Sequence, residues 1–237
     1  MAAGHGDLGF EEAAKRVPFL RALSGPQLER LRPYVKLRRI GPAQRIWHEG
    51  DPTADFTFLL RGRAKLVKAG QAGRDAIVDL CGSGELLCSS AVSCFSPYCC
   101  SAACLDGAVE VLAIPRREVL DLLEGSPAAA RAFVREIAGR EMRLARRIGQ
   151  LSSGQLERRI ATLLLHLAED SGTPEGERSV RIPIALKRQD LADLCSARLE
   201  TTIRTMRRLG RLGIVRSRPR GFVVDRPALE RIARGEG

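Results

Sequence analysis

Apolar residues in the first half of the chain fall in short runs of strand length. These runs lie within RIWHEGD, FTFLLRGRAKLVKA, AIVDLCGSGELL and VEVLAIP. Turn residues separate them, at Gly50-Asp51-Pro52 and at Gly70 with Gly73. Short apolar runs between turns are typical of a small antiparallel roll or barrel. The pattern therefore predicts a mostly β first domain, after a short helical opening.

The period of the pattern changes to that of a helix from about residue 126. The apolar residues follow one another at steps of four, seven, four and three, at Phe133, Ile137, Leu144, Ile148 and Leu151. One stripe of this width on a helix of roughly 25 residues is typical of a coiled-coil seam. We predict a parallel homodimer contact along this stripe. The alternative is that it packs on the β domain of its own chain.

The last third of the chain predicts a winged helix-turn-helix. LKRQDLADL and RLETTIRTMRRLGRLG are amphipathic segments joined by the short turn CSA, and Leu199, Ile203, Met206 and Leu209 form the inner side of the second. Two short helices around a tight turn have the geometry of a DNA-reading motif. The following GIVRSRPRGFVVD predicts a β hairpin whose arginines, Arg216 among them, are available to phosphates.

Glu200 and Arg204 are the candidate base readers, because they are four residues apart on one face of the second helix. A carboxylate accepts a hydrogen bond from cytosine N4, and an arginine fork donates to guanine O6 and N7. The alternative is a helix-stabilising pair, which we consider less favoured within a basic helix-turn-helix. The further predicted DNA contacts are polar or basic residues of the same region: Lys187, Arg188, Arg198, Thr201, Arg207, Arg218 and Arg220.

The charge of the chain is concentrated in its second half. Residues 1–124 carry 16 basic and 15 acidic side chains, whereas residues 125–237 carry 23 and 13. A neutral domain followed by an arginine-rich one indicates a sensing domain joined to one that binds nucleic acid. The sequence contains no run of 18 apolar residues and no apolar leader core, so we expect a cytoplasmic protein without a membrane partner.

The quoted segments resemble the CRP/FNR superfamily of bacterial transcription regulators. HEGDPTADFTFLLRGRAKLV is similar to its cyclic-nucleotide-binding roll, and KRQDLADLCSARLETTIRTMRRLGRLGIV to its DNA-reading motif, with the base-reading Glu and Arg at Glu200 and Arg204. The resemblance implies an α+β fold, with a double-stranded β-helix or jelly-roll domain over 1–125, a dimerisation helix over 126–152 and a winged helix-turn-helix domain over 153–237. It also implies a non-enzymatic homodimer that binds two-fold symmetric double-stranded DNA and contacts RNA polymerase.

The chain departs from this family where a cyclic nucleotide would bind. Cys88 and Ser89 stand where the ribose-binding Gly-Glu pair is expected, and Cys100 precedes Ser101 where the phosphate-binding Arg belongs. A buried phosphate without a cation is costly. We therefore do not expect cyclic AMP to bind.

Six of the seven cysteines lie between residues 81 and 104. Thiolates are soft ligands, and four suffice for a cluster or a tetrahedral ion. We predict four ligands from Cys88, Cys94, Cys99, Cys100 and Cys104, with Cys81 as a possible substitute. If residues 100–104 form a strand, Cys100 and Cys104 share one face and Cys99 points to the other. Cys99 then joins them only if the backbone is irregular there. The isolated Cys195 is predicted to be a packed structural residue, with oxidation-sensitive DNA binding as the alternative.

The identity of the bound group stays open at this point. A [4Fe–4S] cluster is favoured, because the oxygen- and nitric-oxide-sensing branch of the superfamily uses one. The alternatives are another soft metal or metalloid, a thiol–disulfide switch, and cysteines as apolar filler. We predict a transcription regulator that senses redox state, a diatomic gas or a soft metal. A basic metalloenzyme or electron-transfer module is the alternative class, but the sequence has no nucleophile–base constellation or phosphate loop to support it.

Overall fold

The computed structural model describes residues 9–42, 44–70, 75–151 and 154–236. The chain divides into two compact units, the first comprising Met1–Ala69 and Val78–Met142 and the second Gly70–Ile77 and Arg143–Gly237. Within the described residues, no helix combines the length and the apolar character that crossing a membrane requires.

The first unit opens with short helices and continues into strands. The helices are α1 (Phe10–Arg16), α2 (Pro18–Arg21) and α3 (Gly25–Leu31), with a 3-10 turn at Arg32–Tyr34. The strands are β1 (Lys36–Ile40), β2 (Arg45–Trp47), β3 (Asp55–Arg61), β4 (Ala64–Lys68), β5 (Ala76–Cys81), β6 (Leu86–Leu87), β7 (Ser101–Cys104) and β8 (Val109–Pro115). Helix α4 (Ser89–Ser93) lies between β6 and β7, and α5 (Arg116–Gly125) follows β8. The long helix α6 (Pro127–Leu151) begins in the first unit and ends in the second.

Two four-stranded sheets form a jelly roll. Their strand orders are β1-β8-β3-β6 and β2-β7-β4-β5. In each, a strand from the end of the domain inserts between strands from its beginning, which is the double Greek-key arrangement of a jelly roll. The predicted β roll is therefore confirmed. Because the connections cross between sheets, segments that are distant in sequence meet at one end of the roll.

Aromatic side chains anchor the start of α6 in the core of this unit. Phe19 stacks on Phe58 with ring centroids 5.9 Å apart, and Phe133 packs edge-on against Phe19 at 5.9 Å and Phe56 at 5.5 Å. Burying each ring contributes about 1.5–3 kcal/mol. Phe133 is only 7% exposed, so its assignment to a dimer contact is wrong. The apolar stripe of α6 faces its own domain at the first turns, whereas Ile137, Leu144 and Ile148 remain exposed.

The second unit contains the winged helix-turn-helix. Its elements are α7 (Leu156–Ser171), β9 (Thr173–Pro174), β10 (Ser179–Ile182), α8 (Arg188–Leu194), α9 (Leu199–Arg211), β11 (Val215–Arg218), β12 (Gly221–Asp225) and α10 (Arg226–Arg234). The strands form one sheet in the order β11-β12-β10-β9. Gly221 begins β12 with φ +136°, and a Cβ there would lie 1.9 Å from Ile182 O. Only glycine permits this approach of the wing to β10.

Candidate thiol site and nucleic-acid interface

Three cysteines of the first unit converge on one point, and we call Cys88, Cys99 and Cys100 the thiol triad. The Sγ atoms of Cys88 and Cys99 are 3.8 Å apart, and those of Cys99 and Cys100 are 4.0 Å apart. All three Sγ atoms lie within 4.8 Å of one another. Cys88 and Cys100 are 2% and 4% exposed, whereas Cys99 is open to solvent. The triad therefore has two buried cysteines and one exposed cysteine.

The backbone on both sides of the triad explains how neighbouring residues share one site. Cys88 follows β6 with a left-handed backbone, φ +48°. Cys99 and Cys100 lie in a bend before β7 begins at Ser101. The alternation of a strand, which would send their side chains to opposite faces, does not apply there.

Hydrogen bonds hold the bend in place. Trp47 Nε1 donates to Cys100 O at 3.0 Å, and the Trp47 ring stacks on Tyr98 at 4.1 Å. Lys68 Nζ donates to Cys99 O at 2.9 Å and also pairs with the carboxylate of Glu49. This pairing lowers the pKa of Glu49 and raises the pKa of Lys68. The backbone carbonyls of Cys99 and Cys100 are thus each held by a side-chain donor.

The surroundings disfavour free thiolates in the triad. A hydrogen bond with Cys88, followed by burial, raises the pKa of Cys100 above its ordinary range. Burial, followed by the neighbouring Cys88, raises the pKa of Cys99, and burial raises the pKa of Tyr98 to about 12. A thiol with a raised pKa is a weak nucleophile, so the triad differs from the activated cysteine of an enzyme.

The other cysteines predicted as ligands do not join the triad. Cys104 Sγ donates to Gly41 O at 3.2 Å, and Cys81 Sγ lies 4.0 Å from Asp79 Oδ2. Cys94 is exposed after α4. Among the described His, Cys, Asp and Glu residues, the triad is the one group of three or more whose ligand atoms cluster. The prediction for Cys104 is wrong because four residues of strand carry it about 13 Å beyond Cys100.

Polar contacts connect β6 to the long helix α6, and we call them the β6–α6 link. Leu86 N donates to Glu136 Oε1 at 3.4 Å, and Arg140 donates to Leu86 O at 3.0 Å. Arg140 also pairs with Asp79 at 3.3 Å, where both side chains are largely buried. Leu86 is two residues from Cys88, so the link lies beside the triad. In the sequence, Arg140 lies within the seven-residue step of the apolar stripe between Ile137 and Leu144.

The helix-turn-helix is built on a packed inner face. Leu191, Leu194, Met206 and Leu209 are buried. Lys187 N donates to Asp190 Oδ2 at 2.8 Å, which satisfies a backbone donor at the start of α8. Leu199, expected on the inner face, is instead 37% exposed because it begins α9. The interior thus fixes α9 and leaves Leu199 and Glu200, at its start, exposed.

Most of the predicted DNA contacts are exposed. The exposed ones are Lys187, Arg198, Glu200, Arg204, Arg207, Arg218 and Arg220, whereas Thr201 and Arg188 are half-buried. The ion pairs seen between described residues of this unit, such as the one joining Arg178 and Asp225, do not include one between Glu200 and Arg204. Their side chains are therefore presented to solvent, as base reading requires.

Arg188 has a positioning role that the sequence did not indicate. Its guanidinium donates to Ser217 Oγ at 2.8 Å and lies over the Phe222 ring at 6.0 Å. Burial lowers the pKa of Arg188. The residue connects the first helix of the motif to the wing.

Cys195 directly follows α8, at its C-cap, and is packed in the interior, at 1% exposed. Burial raises the pKa of its thiol to about 11, against the opposing effect of Arg147 and Arg159. Its surroundings are those of a structural cysteine.

Comparison with known proteins agrees with this architecture. The cyclic nucleotide-binding domain family matches residues 37–126, and the Crp-like helix-turn-helix domain family matches residues 158–232. A probable transcriptional activator of Rhizobium leguminosarum bv. viciae is 27% identical over 196 residues, which cover 82% of this chain and 79% of that protein. A CRP-like cAMP-activated global transcriptional regulator of Mycobacterium tuberculosis is 22% identical over 189 residues, which cover 80% and 83%.

Solved structures share the fold. The c-di-GMP responsive global regulator CLP of Xanthomonas campestris superposes with a TM-score of 0.70 at 19% identity, covering 85% of this chain and 99% of that one. The second matched domain is a Crp-like helix-turn-helix and the curated relatives are transcription regulators, so the alternative of a metalloenzyme or electron-transfer module is set aside. From the two matched domains, their order and the shared fold, the chain is a DNA-binding transcription regulator of the CRP/FNR superfamily.

Proposed function

We propose that the thiol triad is the effector site of this regulator and that its occupation changes the affinity for DNA. The observation that carries the proposal is the convergence of three Sγ atoms within 4.8 Å of one another. Two of these cysteines, Cys88 and Cys100, stand where the family resemblance places ribose and phosphate ligands. Soft sulfur ligands bind thiophilic ions or clusters. Cyclic AMP is not the expected effector, in contrast to the mycobacterial relative.

Oxidation of the triad is a second candidate, favoured by the 3.8 Å between the Sγ atoms of Cys88 and Cys99. An oxidant such as a peroxide would accept two electrons, the two thiols would lose two protons, and one S–S bond would form. The sulfurs would have to approach to about 2.05 Å. This candidate uses the same residues and differs in requiring an oxidant.

The β6–α6 link supports the transmission step of the proposal. Cys88 follows β6 directly, and the backbone of Leu86 is bonded to Glu136 and Arg140 of α6. A ligand that moves Cys88 would also move the backbone of Leu86 and so change the geometry of these hydrogen bonds. Because α6 carries the exposed apolar stripe, a shift there would alter the dimer that presents the DNA-reading helices.

The DNA-bound form is proposed to be a homodimer. Ile137, Leu144, Ile148 and Leu151 supply its contact along α6, and α9 of each protomer enters the major groove of one half-site. The exposed Glu200 and Arg204 read base edges there, and exposed arginines of the wing contact phosphates. Contacts to RNA polymerase and a cytoplasmic location follow from the family resemblance.

The test is DNA affinity measured by fluorescence anisotropy on a two-fold site selected in vitro. Reduced, metal-free protein is compared with protein that has been reconstituted with iron and sulfide, given a thiophilic ion, or oxidised. At least one treatment should change the affinity about tenfold. An absorbance spectrum with iron and sulfide analysis identifies any cluster.

Matched variants assign the effect to the triad. Cys99→Ser and Cys94→Ser remove exposed thiols five residues apart, one inside the triad and one outside. The response should disappear in Cys99→Ser and persist in Cys94→Ser. An equal response in both variants, or none in the parent protein, would refute the proposal.

A further inference from the structure

We infer that the thiol triad binds a single trivalent thiophilic ion of the arsenite class through three sulfur atoms, rather than an iron–sulfur cluster. The inference names the ligand of the proposed effector site and rests on that proposal for its regulatory consequence. The binding itself stands on the geometry, the ligand number and the burial of the three cysteines.

The spacing of the sulfurs fits one ion. Thiolates bonded to one ion at about 2.3 Å stand about 3.8 Å apart around a tetrahedral ion and about 3.4 Å apart around pyramidal trivalent arsenic, so the sulfurs would close slightly on binding arsenic. The Sγ atoms of the triad lie 3.8 Å and 4.0 Å apart between neighbours. In a four-iron cluster each cysteine binds a different iron, so two Fe–S bonds and an Fe–Fe edge separate the ligand sulfurs. The triad is too compact for that arrangement.

The number of ligands also argues against a cluster. A cubane cluster takes four cysteines. Among the described residues that carry ligand atoms, no fourth lies within the distance that groups Cys88, Cys99 and Cys100. Trivalent arsenic completes its coordination with three bonds and a lone pair, so it requires no fourth protein ligand.

The burial of the triad selects the charge of the ion. Cys88 and Cys100 are almost fully buried, and the neighbouring Lys68 is already paired with Glu49. Three thiolates carry three negative charges, so a monovalent or divalent ion leaves net negative charge at the site. An uncompensated buried charge is costly. A trivalent ion makes the complex neutral.

The capture reaction balances without another reactant. Arsenous acid, the uncharged trihydroxide, exchanges its three As–O bonds for three As–S bonds. Each thiol hydrogen leaves with one hydroxide as water, which gives three waters in all. Neither arsenic nor sulfur changes its oxidation state. The site therefore passes from three neutral thiols to a neutral complex, and no charge is buried.

The experiment uses the full-length, reduced, metal-free protein with sodium arsenite, under anaerobic conditions. After desalting, arsenic is quantified per protomer and its neighbours are counted by X-ray absorption. We expect one arsenic per protomer with three sulfur neighbours. Cys99→Ser should lose stoichiometric uptake, and because Cys99 is exposed this variant tests the site without disturbing the core. Cys94→Ser and Cys104→Ser should retain it.

Several outcomes would overturn the inference. These are an absence of stoichiometric arsenic, two sulfur neighbours in place of three, or an equal loss of uptake in Cys94→Ser. Reconstitution with iron and sulfide to four irons per protomer, dependent on the triad, would also overturn it while leaving the proposed effector site intact. Conversely, arsenic bound one per protomer without any change in DNA affinity supports the inference and counts against the proposed function.

Discussion

Cys88 occupies a backbone conformation that suits glycine better than cysteine. Its φ of +48° lies in the left-handed region, where a residue with a Cβ is strained by about 1–2 kcal/mol. The family resemblance places a glycine at this position. The chain thus keeps a thiol where the backbone opposes a side chain, and this agrees with a functional role for the sulfur.

This strain predicts an unusual order of stability. Cys88→Gly relieves the strain of the left-handed backbone conformation, whereas Cys88→Ala removes the sulfur and keeps that strain. We expect the glycine variant to be more stable than the alanine variant by about 1 kcal/mol in urea unfolding. If the alanine variant is the more stable one, the backbone at Cys88 is not strained in solution.

Cys195 predicts a pH dependence of stability. Its pKa is raised from 9.0 to about 11 by burial, so the folded state keeps the proton that the unfolded state releases. The stabilisation is complete below pH 9 and is lost as pH rises from about 9 to about 11, amounting to about 2–3 kcal/mol. The free energy of unfolding, measured in urea, should fall more steeply between pH 8 and pH 11 for the parent protein than for Cys195→Ala. Parallel pH profiles would contradict this.

Arg204 and Arg218 should affect DNA binding in different ways. Arg204 lies exposed on α9 and Arg218 lies exposed on the wing. Arg204→Ala should cost about 1–3 kcal/mol and relax the preference at one base of each half-site. Arg218→Ala should weaken binding to all sequences alike and reduce the salt slope by about 1. Selection of binding sites from random DNA, with titrations at several salt concentrations, distinguishes the two. An unchanged sequence preference in Arg204→Ala would refute its base-reading role.

At the scale of elements, α6 presents two different faces. Its apolar stripe is buried at Phe133 and exposed at Ile148, which is 67% accessible. Met142 is also exposed but lies on the opposite face, since each residue turns the helix by about 100°. The helix therefore supplies a natural control for tests of dimerisation.

Ile148→Glu should weaken the dimer, because it places a charge in the proposed apolar seam. Met142→Glu adds the same charge outside the seam and should leave the dimer unchanged. Analytical ultracentrifugation across a range of concentrations measures both. Equal dimer dissociation constants in the two variants would exclude the apolar stripe of α6 as the dimer contact.

Arg140 should couple the triad to α6. Arg140→Met keeps the apolar stem and removes the donors to Leu86 O and Asp79. We expect a loss of about 1–3 kcal/mol in unfolding free energy and a smaller effector-induced change in DNA affinity. Arg146→Met, at an exposed position of the same helix, is the control. An effector response equal in the two variants would contradict the coupling.

The helices and strands were more predictable from the sequence than the contacts between them. Short apolar runs predicted the roll, and helical spacing predicted α6 and α9, because local periodicity reports which face is buried. Phe133 was misassigned because periodicity does not say which partner covers a stripe. Four ligands were predicted, whereas three cysteines meet. The members of the triad come together through the crossover of the jelly roll, and spacing along the sequence does not report the distance between their sulfur atoms.

At the scale of the whole molecule, the excess positive charge lies in the half of the chain that contains the helix-turn-helix. Residues 125–237 carry 23 basic against 13 acidic side chains, while the first 124 residues are close to neutral. The neutral complex proposed for the triad would add no net charge and would leave the electrostatic attraction of the second half for DNA unaltered. Regulation by the triad is then expected to act through geometry and not through net charge, and the salt slope of DNA binding should be similar with and without effector.

The unequal exposure of the triad bears on how fast the proposed effector site would be occupied. Cys99 is exposed while Cys88 and Cys100 are buried, so an ion arriving from solution would bond to Cys99 first and leave it last. Binding and release would then proceed as stepwise ligand exchanges that begin and end at Cys99. The two buried cysteines would set how long the ion stays bound, and the exposed one would set how quickly the site is filled or emptied.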